Sequence, residues 1–257
     1  MAMKQDIHQL SNIQRYPIGF RYPKTNPLDL RAFRYARAGV SDSGALNPSL
    51  GAHVGFTQDI PMVAVTLDLA AAGKYTLEIL VGAADGRGGN AGIAANELAG
   101  GYILIFVTGL THYINRMIVA NTATIAGGGA QVMTVTVLKP LPYALGAGSN
   151  AEVIANPYLD VIEGNYDRQA IMGIPTMEAV AGQYLWLQTW GPCWVTPALV
   201  DWSTIDSSQA MFRGNGSIAE FIPDDPAVGL QQHAGFVVTP ATGGGVGLPF
   251  VFLQIAP

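Results

Sequence analysis

Residues 62–81 read MVAVTLDLAAAGKYTLEILV, and this stretch decides the fold class. Val63, Val65, Leu67 and Leu69 fall on alternate positions, with Thr66 and Asp68 among the residues between them. Tyr75, Leu77, Ile79 and Val81 repeat the pattern against Thr76 and Glu78. Successive side chains of a strand point to opposite faces, so a period of two marks two half-buried strands. Ala72, Gly73 and Lys74 have the composition of a turn, and the two runs are expected to pair as a hairpin.

Outward from this stretch the same signal recurs. Gly101 to Thr108, Tyr113 to Ala120, Gln131 to Leu138, Gln183 to Trp190, Gly235 to Thr239 and Leu248 to Ile255 are short apolar runs of strand composition. Gly86 to Gly89, Gly127 to Gly129 and Gly243 to Gly245 are connectors in which a positive φ carries little steric cost. Single helical turns are expected at Ile93 to Leu98 and near Thr204 to Phe212, neither with the apolar stripe of a core helix. No internal repeat of fixed period stands out. Pro140, Pro142, Gly146, Gly148 and Pro157 make 139–157 the best place for a boundary between two β subdomains. Residues 1–30, with Pro17, Pro23 and Pro27, read as an extended N-terminal arm that orders only against a neighbour, followed by a β domain over 31–257. The expected class is all-β, a sandwich or barrel.

Composition agrees with that class and narrows the partners. Thirty-one Gly and sixteen Pro supply the punctuation of many short strands. Hydrophobic residues make up 49% of the chain and charged residues only 12%, about half the usual charged share of a soluble domain. A surface so poor in charge carries apolar patches, and such patches are association surfaces, so the chain reads as a subunit of something larger. A net charge of -5 with no basic run excludes a phosphate backbone as the expected partner. Arg31, Arg34 and Arg37 read as a solvated face, the alternative being a local contact with an acidic neighbour. The polar stretch from Met1 to Tyr16 has no apolar signal segment and no run spans a bilayer, so the expectation is synthesis in a cytoplasm and no membrane partner.

The search for chemistry returns little. The Gly-x-Ser-x-Gly elbow is absent, and His8, His53, His112 and His233 are isolated in sequence. Cys193 is the only cysteine, so neither an internal disulfide nor a cysteine zinc cluster can form, and its bulky neighbours favour a buried, inert thiol. Asp160, Glu163 and Asp167 are hard oxygen ligands of the type that holds calcium, but without calcium-loop spacing they read as a solvated loop. Asp224 and Asp225 before Pro226 have turn chemistry. No phosphate-binding glycine motif occurs, and no cofactor or metal is expected. Tyr184, Trp186 and Trp190 share one side of a strand, with Trp194 and Trp202 nearby. Facing inward they are core or subunit-interface anchors; facing water they stack on sugar rings. The inward reading is preferred, because so many exposed tryptophans are rarely tolerated.

Two stretches carry a family resemblance. Phe33 to Gly39, FRYARAG, follows the extended segment Ile13 to Leu30, and Gly182 to Pro192, GQYLWLQTWGP, combines Trp, Gln and a Gly-Pro pair. Both resemble the capsid decoration or head-stabilising (cement) proteins of tailed phages. Gly100 to Tyr102 and Leu138 to Pro142 fit the same layout, so the resemblance spans about residues 13 to 255. It implies a non-enzymatic structural protein on the virion exterior, bound to the major capsid protein lattice and clustered at a symmetry axis, with a trimer favoured. Phe33, Arg34, Tyr35 and Arg37 would then anchor the chain, and Trp186 and Trp190 would pack subunits. The alternative is a tail-associated or receptor-binding β module that recognises cell-surface glycans through its tryptophans. A hydrolase with a convergent site comes third, with no motif behind it.

Overall fold

The computed structural model describes the chain except residues 1–4, 24–25, 42, 56–61, 67–69, 84, 86–91, 110, 112, 165–168, 199–207, 222–231 and 240–248, and gives the backbone alone for 62–66. Every regular element among the described residues is a strand, and the sheets curl into half-barrels, so the fold is all-β. The chain divides into two compact units, one made of 1–55 with 158–257 and the other of 56–157.

The continuous unit holds β4 (Met62–Thr66), β5 (Thr76–Val81), β6 (Tyr102–Phe106), β7 (Tyr113–Asn121), β8 (Gln131–Val137) and β9 (Asn150–Ile154). They form one antiparallel sheet in the order β4-β9-β6-β7-β8-β5. The expected alternation is present where it can be seen: Leu77, Ile79 and Val81 are buried while Thr76, Glu78 and Leu80 are exposed. Ile103, Ile105, Ile118, Met133, Val135, Ala151 and Val153 complete the inward face. The expected hairpin between 62–69 and 75–81 is a correction. β4 pairs with β9 and β5 with β8, and the two strands stand at opposite ends of the sheet, whose curl brings them near each other. Alternation fixes which face a residue takes, but it says nothing about which strand lies alongside.

The segment 139–157, read as the place for a boundary between two β subdomains, contains β9, the strand between β4 and β6, with Ala151 and Val153 inward, and the division between the two units falls at its end, after Pro157. Two further expectations change here. At Ile93 to Leu98 the chain makes a succession of tight turns instead of a helical turn. Glu97 N–H donates to Ala94 and Ala99 N–H to Asn96, with Asn96 at φ 61°. Of the second expected helical turn, 204–207 lie outside the described residues and Gln209–Phe212 is a strand.

The discontinuous unit holds β1 (Ala32–Arg37), β2 (Ala45–Leu46), β3 (Ala52–His53), β10 (Ile171–Pro175), β11 (Ala179–Val180), β12 (Tyr184–Trp194), β13 (Gln209–Phe212), β14 (Ile218–Glu220), β15 (Gln232–Thr239) and β16 (Phe250–Gln254). Its main sheet runs β14-β13-β15-β16-β12-β10-β3, with β1 also paired to β12, while β2 and β11 form a small ladder. β12 organises the unit: at eleven residues it is long enough to pair with β1 and β10 through its N-terminal half and with β16 through its C-terminal half.

The stems that lead to and from residues 56–157 are tied together within this unit. His53 and Ile162 exchange both backbone hydrogen bonds, at 2.8 and 3.0 Å, and Val54 N–H donates to Ala170 at 2.9 Å. Arg37 N–H donates to Tyr158 and Val161 N–H to Arg37. The Asp160 carbonyl sits against both Gly39 and Gly55, where a side chain would not fit, and Asp160 itself has φ 54°.

The N-terminal segment, expected to order only against a neighbour, is ordered by its own unit. Residues 5–23 run along β1 and the start of β12 as a strap. Ser11 and Tyr184 exchange backbone hydrogen bonds, Gly19 N–H donates to Tyr35, Tyr35 N–H to Phe20, and Tyr22 N–H to Phe33. The reason is aromatic: Tyr16 and Tyr22 close over Trp186 at centroid distances of 5.4 and 4.9 Å, and Tyr16 meets Tyr35 at 5.3 Å. Each ring removes about 150–250 Å² from water, an upper bound of roughly 4–6 kcal/mol apiece, which is enough to order an otherwise irregular segment.

Candidate association surface

β12 passes through two environments. In its N-terminal half, the face that carries Leu185 and Leu187 joins a core shared with Ala36, Leu46 and Val161. The opposite face carries Tyr184 and Trp186, and the strap covers it. Trp186 and Tyr35 are completely buried and Phe33 nearly so. The Tyr35 hydroxyl donates to the Gln5 side-chain oxygen at 2.7 Å and accepts from the Arg15 N–H at 3.1 Å. Desolvation by burial raises its pKa, and the Arg15 hydrogen bond works against that. Among the described residues the Trp186 indole N–H has no oxygen or nitrogen acceptor, and the rings of Tyr16, Tyr22 and Tyr35 pack around the indole. Aromatic faces accept such a donor weakly, so packing holds this side chain more than polarity does.

Past Thr189 the strap ends, and the outward face of β12 has no cover from it. The inward residues Cys193 and Val195 join Val251, Leu253, Ala234 and Phe212 in a second core. Outward, Pro192 stands opposite Phe252 and Trp194 opposite Phe250, and on the next strand Phe236 stands opposite Phe252. Phe236 and Phe252 stack with centroids 5.2 Å apart and planes 4° from parallel, and Trp190 sets its edge against Phe252 at 5.8 Å. Trp194 is 36% exposed, Phe250 37%, Phe236 40% and Val238 51%. β12, β13, β15 and β16 contain no Asp, Glu, Lys or Arg, and neither does the chain from 226 to 257. The outcome is an uncharged aromatic face on the outside of a sheet.

The residues singled out in the sequence therefore separate into three places. Phe33, Tyr35 and Trp186 are brought together, but inside the unit, so a neighbour reaches them only if the strap lifts. Trp190 shares their strand side on paper, yet it lies on the open face with Phe252, beyond the strap and next to Gly191 at φ 88°. Trp202 lies outside the described residues. The arginines do not form one solvated face. Arg31 forks onto Asp29 and lies 5.4 Å from the Phe33 ring centre. Arg34 donates to the carbonyls of Gly19 and Pro257. Arg37 forks onto Asp160, the Nη2 to Oδ2 distance being 2.7 Å. Burial works against the Arg37 charge, and the Asp160 carboxylate more than offsets it, leaving the pKa above its ordinary value.

The reading of Asp160 and Glu163 as a solvated loop is also corrected. Both are buried, Asp160 on Arg37 and Glu163 accepting the Asn47 backbone N–H, because a buried carboxylate needs charge or donors in place of water. Asp167 lies outside the described residues. Among the described residues no three His, Cys, Asp or Glu side chains converge as metal ligands would. His53 is buried, with its pKa pushed down by desolvation against the pull of the backbone oxygens of Ile162 and Gly214, which accept from the ring. His8 and His233 are exposed, and His112 is outside the described residues. Cys193 is buried, and that burial pushes its thiol up to about 12, against a smaller pull from Arg31.

No family model, no curated protein and no solved structure matches this chain.

Proposed function

We propose that this chain is a non-enzymatic structural subunit that works by association, and that its place is the outer surface of a tailed-phage capsid, where it decorates and stabilises the major capsid protein lattice. The observation that carries the reading is the uncharged aromatic face of β12, β15 and β16. Exposed patches of this kind on soluble proteins are association surfaces, and charge depletion with aromatic enrichment marks the core of a protein interface. The resemblance of Phe33 to Gly39 and of Gly182 to Pro192 to the decoration proteins supplies the capsid as the larger object. Weak contacts repeated over a lattice become collectively strong, so a modest patch on each copy suffices. Binding that exists only in the assembled shell stabilises that shell by mass action. The burial of Phe33, Tyr35 and Trp186 moves the weight of the proposal from these rings to Trp190, Trp194 and the phenylalanines beside them.

The test adds purified protein to expanded shells that lack it and measures their resistance to heat and denaturant. Saturable binding with a gain in resistance is expected; no binding and no gain refutes the capsid assignment. A second reading, recognition of a cell-surface glycan, has one observation in its favour: Trp194, Phe236 and Phe250 present ring surface to water. A glycan screen separates the two, since sugar binding lost on Trp190→Ala or Trp194→Ala with the fold intact selects the second.

A further inference from the structure

The turn between β13 and β14 runs Arg213, Gly214, Asn215, Gly216, Ser217 and contains the only Asn-Gly pair in the chain. Asparagine is a chemically labile residue, and before glycine it is most so, because no Cβ hinders the approach of the glycine nitrogen to the side-chain amide. The fold holds this pair in a particular way. Gly216 N–H donates to the Arg213 carbonyl at 2.9 Å, and Arg213 N–H donates to the Ser217 carbonyl at 2.8 Å. Asn215 Oδ1 accepts twice from Ser217, from its N–H at 3.1 Å and from its hydroxyl at 2.6 Å. Asn215 is exposed, so water reaches its amide, whereas Gly216 is buried. Gly216 also seats the turn. Its carbonyl accepts from Gly51 N–H at 2.8 Å, and at φ 80° a side chain on it would fall 2.6 Å from the Gly51 carbonyl oxygen. The attacking nitrogen is thus tied to Arg213 and cannot swing toward Asn215 without pulling Gly216 off Gly51.

We propose that Asn215 is a self-modification site, converted to aspartate and isoaspartate through attack by the Gly216 nitrogen, and that the seat of Gly216 on Gly51 sets the rate. When the turn opens, the Gly216 nitrogen gives its proton to solvent and attacks Asn215 Cγ. The new N–Cγ bond closes a cyclic imide, the Cγ–Nδ2 bond breaks, and ammonia leaves. Water then opens the imide at one of its carbonyls, so asparagine and water become acid and ammonia with no change of oxidation state. Opening at Cγ gives aspartate and an ordinary chain. Opening at the backbone carbonyl gives isoaspartate, whose main chain runs through Cγ and is a carbon longer. That extra length displaces Gly216 from a contact with Gly51 too close to absorb it. The change is one-way, so the turn keeps a record of how long it has spent open. The inference stands whether or not the capsid reading holds.

The experiment incubates the full chain at mildly alkaline pH, folded and in denaturant, and follows conversion at Asn215 by digestion and mass spectrometry, with fragmentation that distinguishes isoaspartate. Hydrogen exchange at the Gly216 amide is measured in the folded sample, because the same opening frees that N–H and the nucleophile. The denatured chain is expected to convert at Asn215 before any other asparagine. Folding is expected to slow the conversion by about 10-fold or more, since at least one buried hydrogen bond must open first. Small additions of urea should raise conversion and Gly216 exchange in parallel. A folded chain that converts as fast as the denatured one, or a conversion rate that ignores Gly216 exchange, overturns the proposal. For the seat, the aged folded protein is separated by anion exchange, since each conversion adds a negative charge. The isoaspartate form is expected to exchange its Gly51 amide about 10-fold faster or more than unconverted protein. Asn215→Asp keeps both the acceptor and the chain length, and should leave Gly51 exchange unchanged. Wild-type protection of Gly51 in the isoaspartate form refutes the role given to the seat.

Discussion

Replacing Gly55 by alanine forces a methyl group into the place where the two stems of the larger unit meet. The added carbon would fall inside the envelope of the Asp160 carbonyl oxygen and 2.8 Å from the Ile162 Cγ2, where carbon atoms prefer about 3.5 Å or more. The Ile162 side chain can turn aside, but the closest contact is with the Asp160 backbone, so no rotamer change relieves the clash and the strands must part. The bonds at stake are the reciprocal pair between His53 and Ile162 and the Val54 to Ala170 bond. Losing two of them where water does not readily replace them costs about 1–3 kcal/mol each, and roughly 3–5 kcal/mol in total is expected. For a chain of this length that lowers the midpoint by roughly 10 °C. Gly44→Ala is the control: Gly44 has φ 82° but nothing within 4 Å of an added carbon, so backbone strain alone applies, about 1 kcal/mol. Thermal unfolding followed by circular dichroism reads both. If Gly55→Ala melts within a degree or two of Gly44→Ala, the close approach at Asp160 does not govern stability and the reasoning fails.

Two other outcomes follow from the buried groups. Burial lowers the His53 pKa below 6.5, so the unfolded chain takes up a proton first; the stability present above pH 6.5 is lost as pH falls toward the folded value. Urea midpoints at successive pH values should fall from about pH 6.5 downward, and a profile of equal slope in His53→Gln removes His53 as the cause. With its thiol pushed up to about 12 and buried, Cys193 should resist a thiol reagent at pH 8 in the folded protein and react promptly in denaturant; fast labelling of native protein contradicts that burial.

What could be read in advance follows the range of each interaction. Leu77, Ile79 and Val81 declare their inward face because alternation is a local property, and it survives folding intact. The partner of that strand is not local, which is why the hairpin with 62–69 was expected and β8 was found. In β9, Asn150–Ile154 carries only two inward residues amid prolines and glycines, so the turn signal masked the strand. Asp160 looked solvated because its partner, Arg37, is more than a hundred positions away. Trp186 and Trp190 lie on one strand side, but the strap covers the first and stops before the second. No property of residues 184–194 records where another segment ends. The candidate surface was thus half legible: its tryptophans could be named, whereas their phenylalanine neighbours came only from the pairing of β12 with β16 and of β16 with β15.

The strap has a consequence for synthesis. Its rings rest on Trp186, which leaves the ribosome about 150 residues after Tyr35, a delay of roughly 8–30 s at ordinary elongation rates. Through that interval Tyr16, Tyr22 and Tyr35 have no Trp186 to close over, while residues 56–157 form a continuous unit that emerges in between. The nascent chain thus carries a greasy, unfinished beginning for most of its translation. A folding helper that holds aromatic segments would find its binding site there, within the first forty residues, and would have to release it once β12 has emerged.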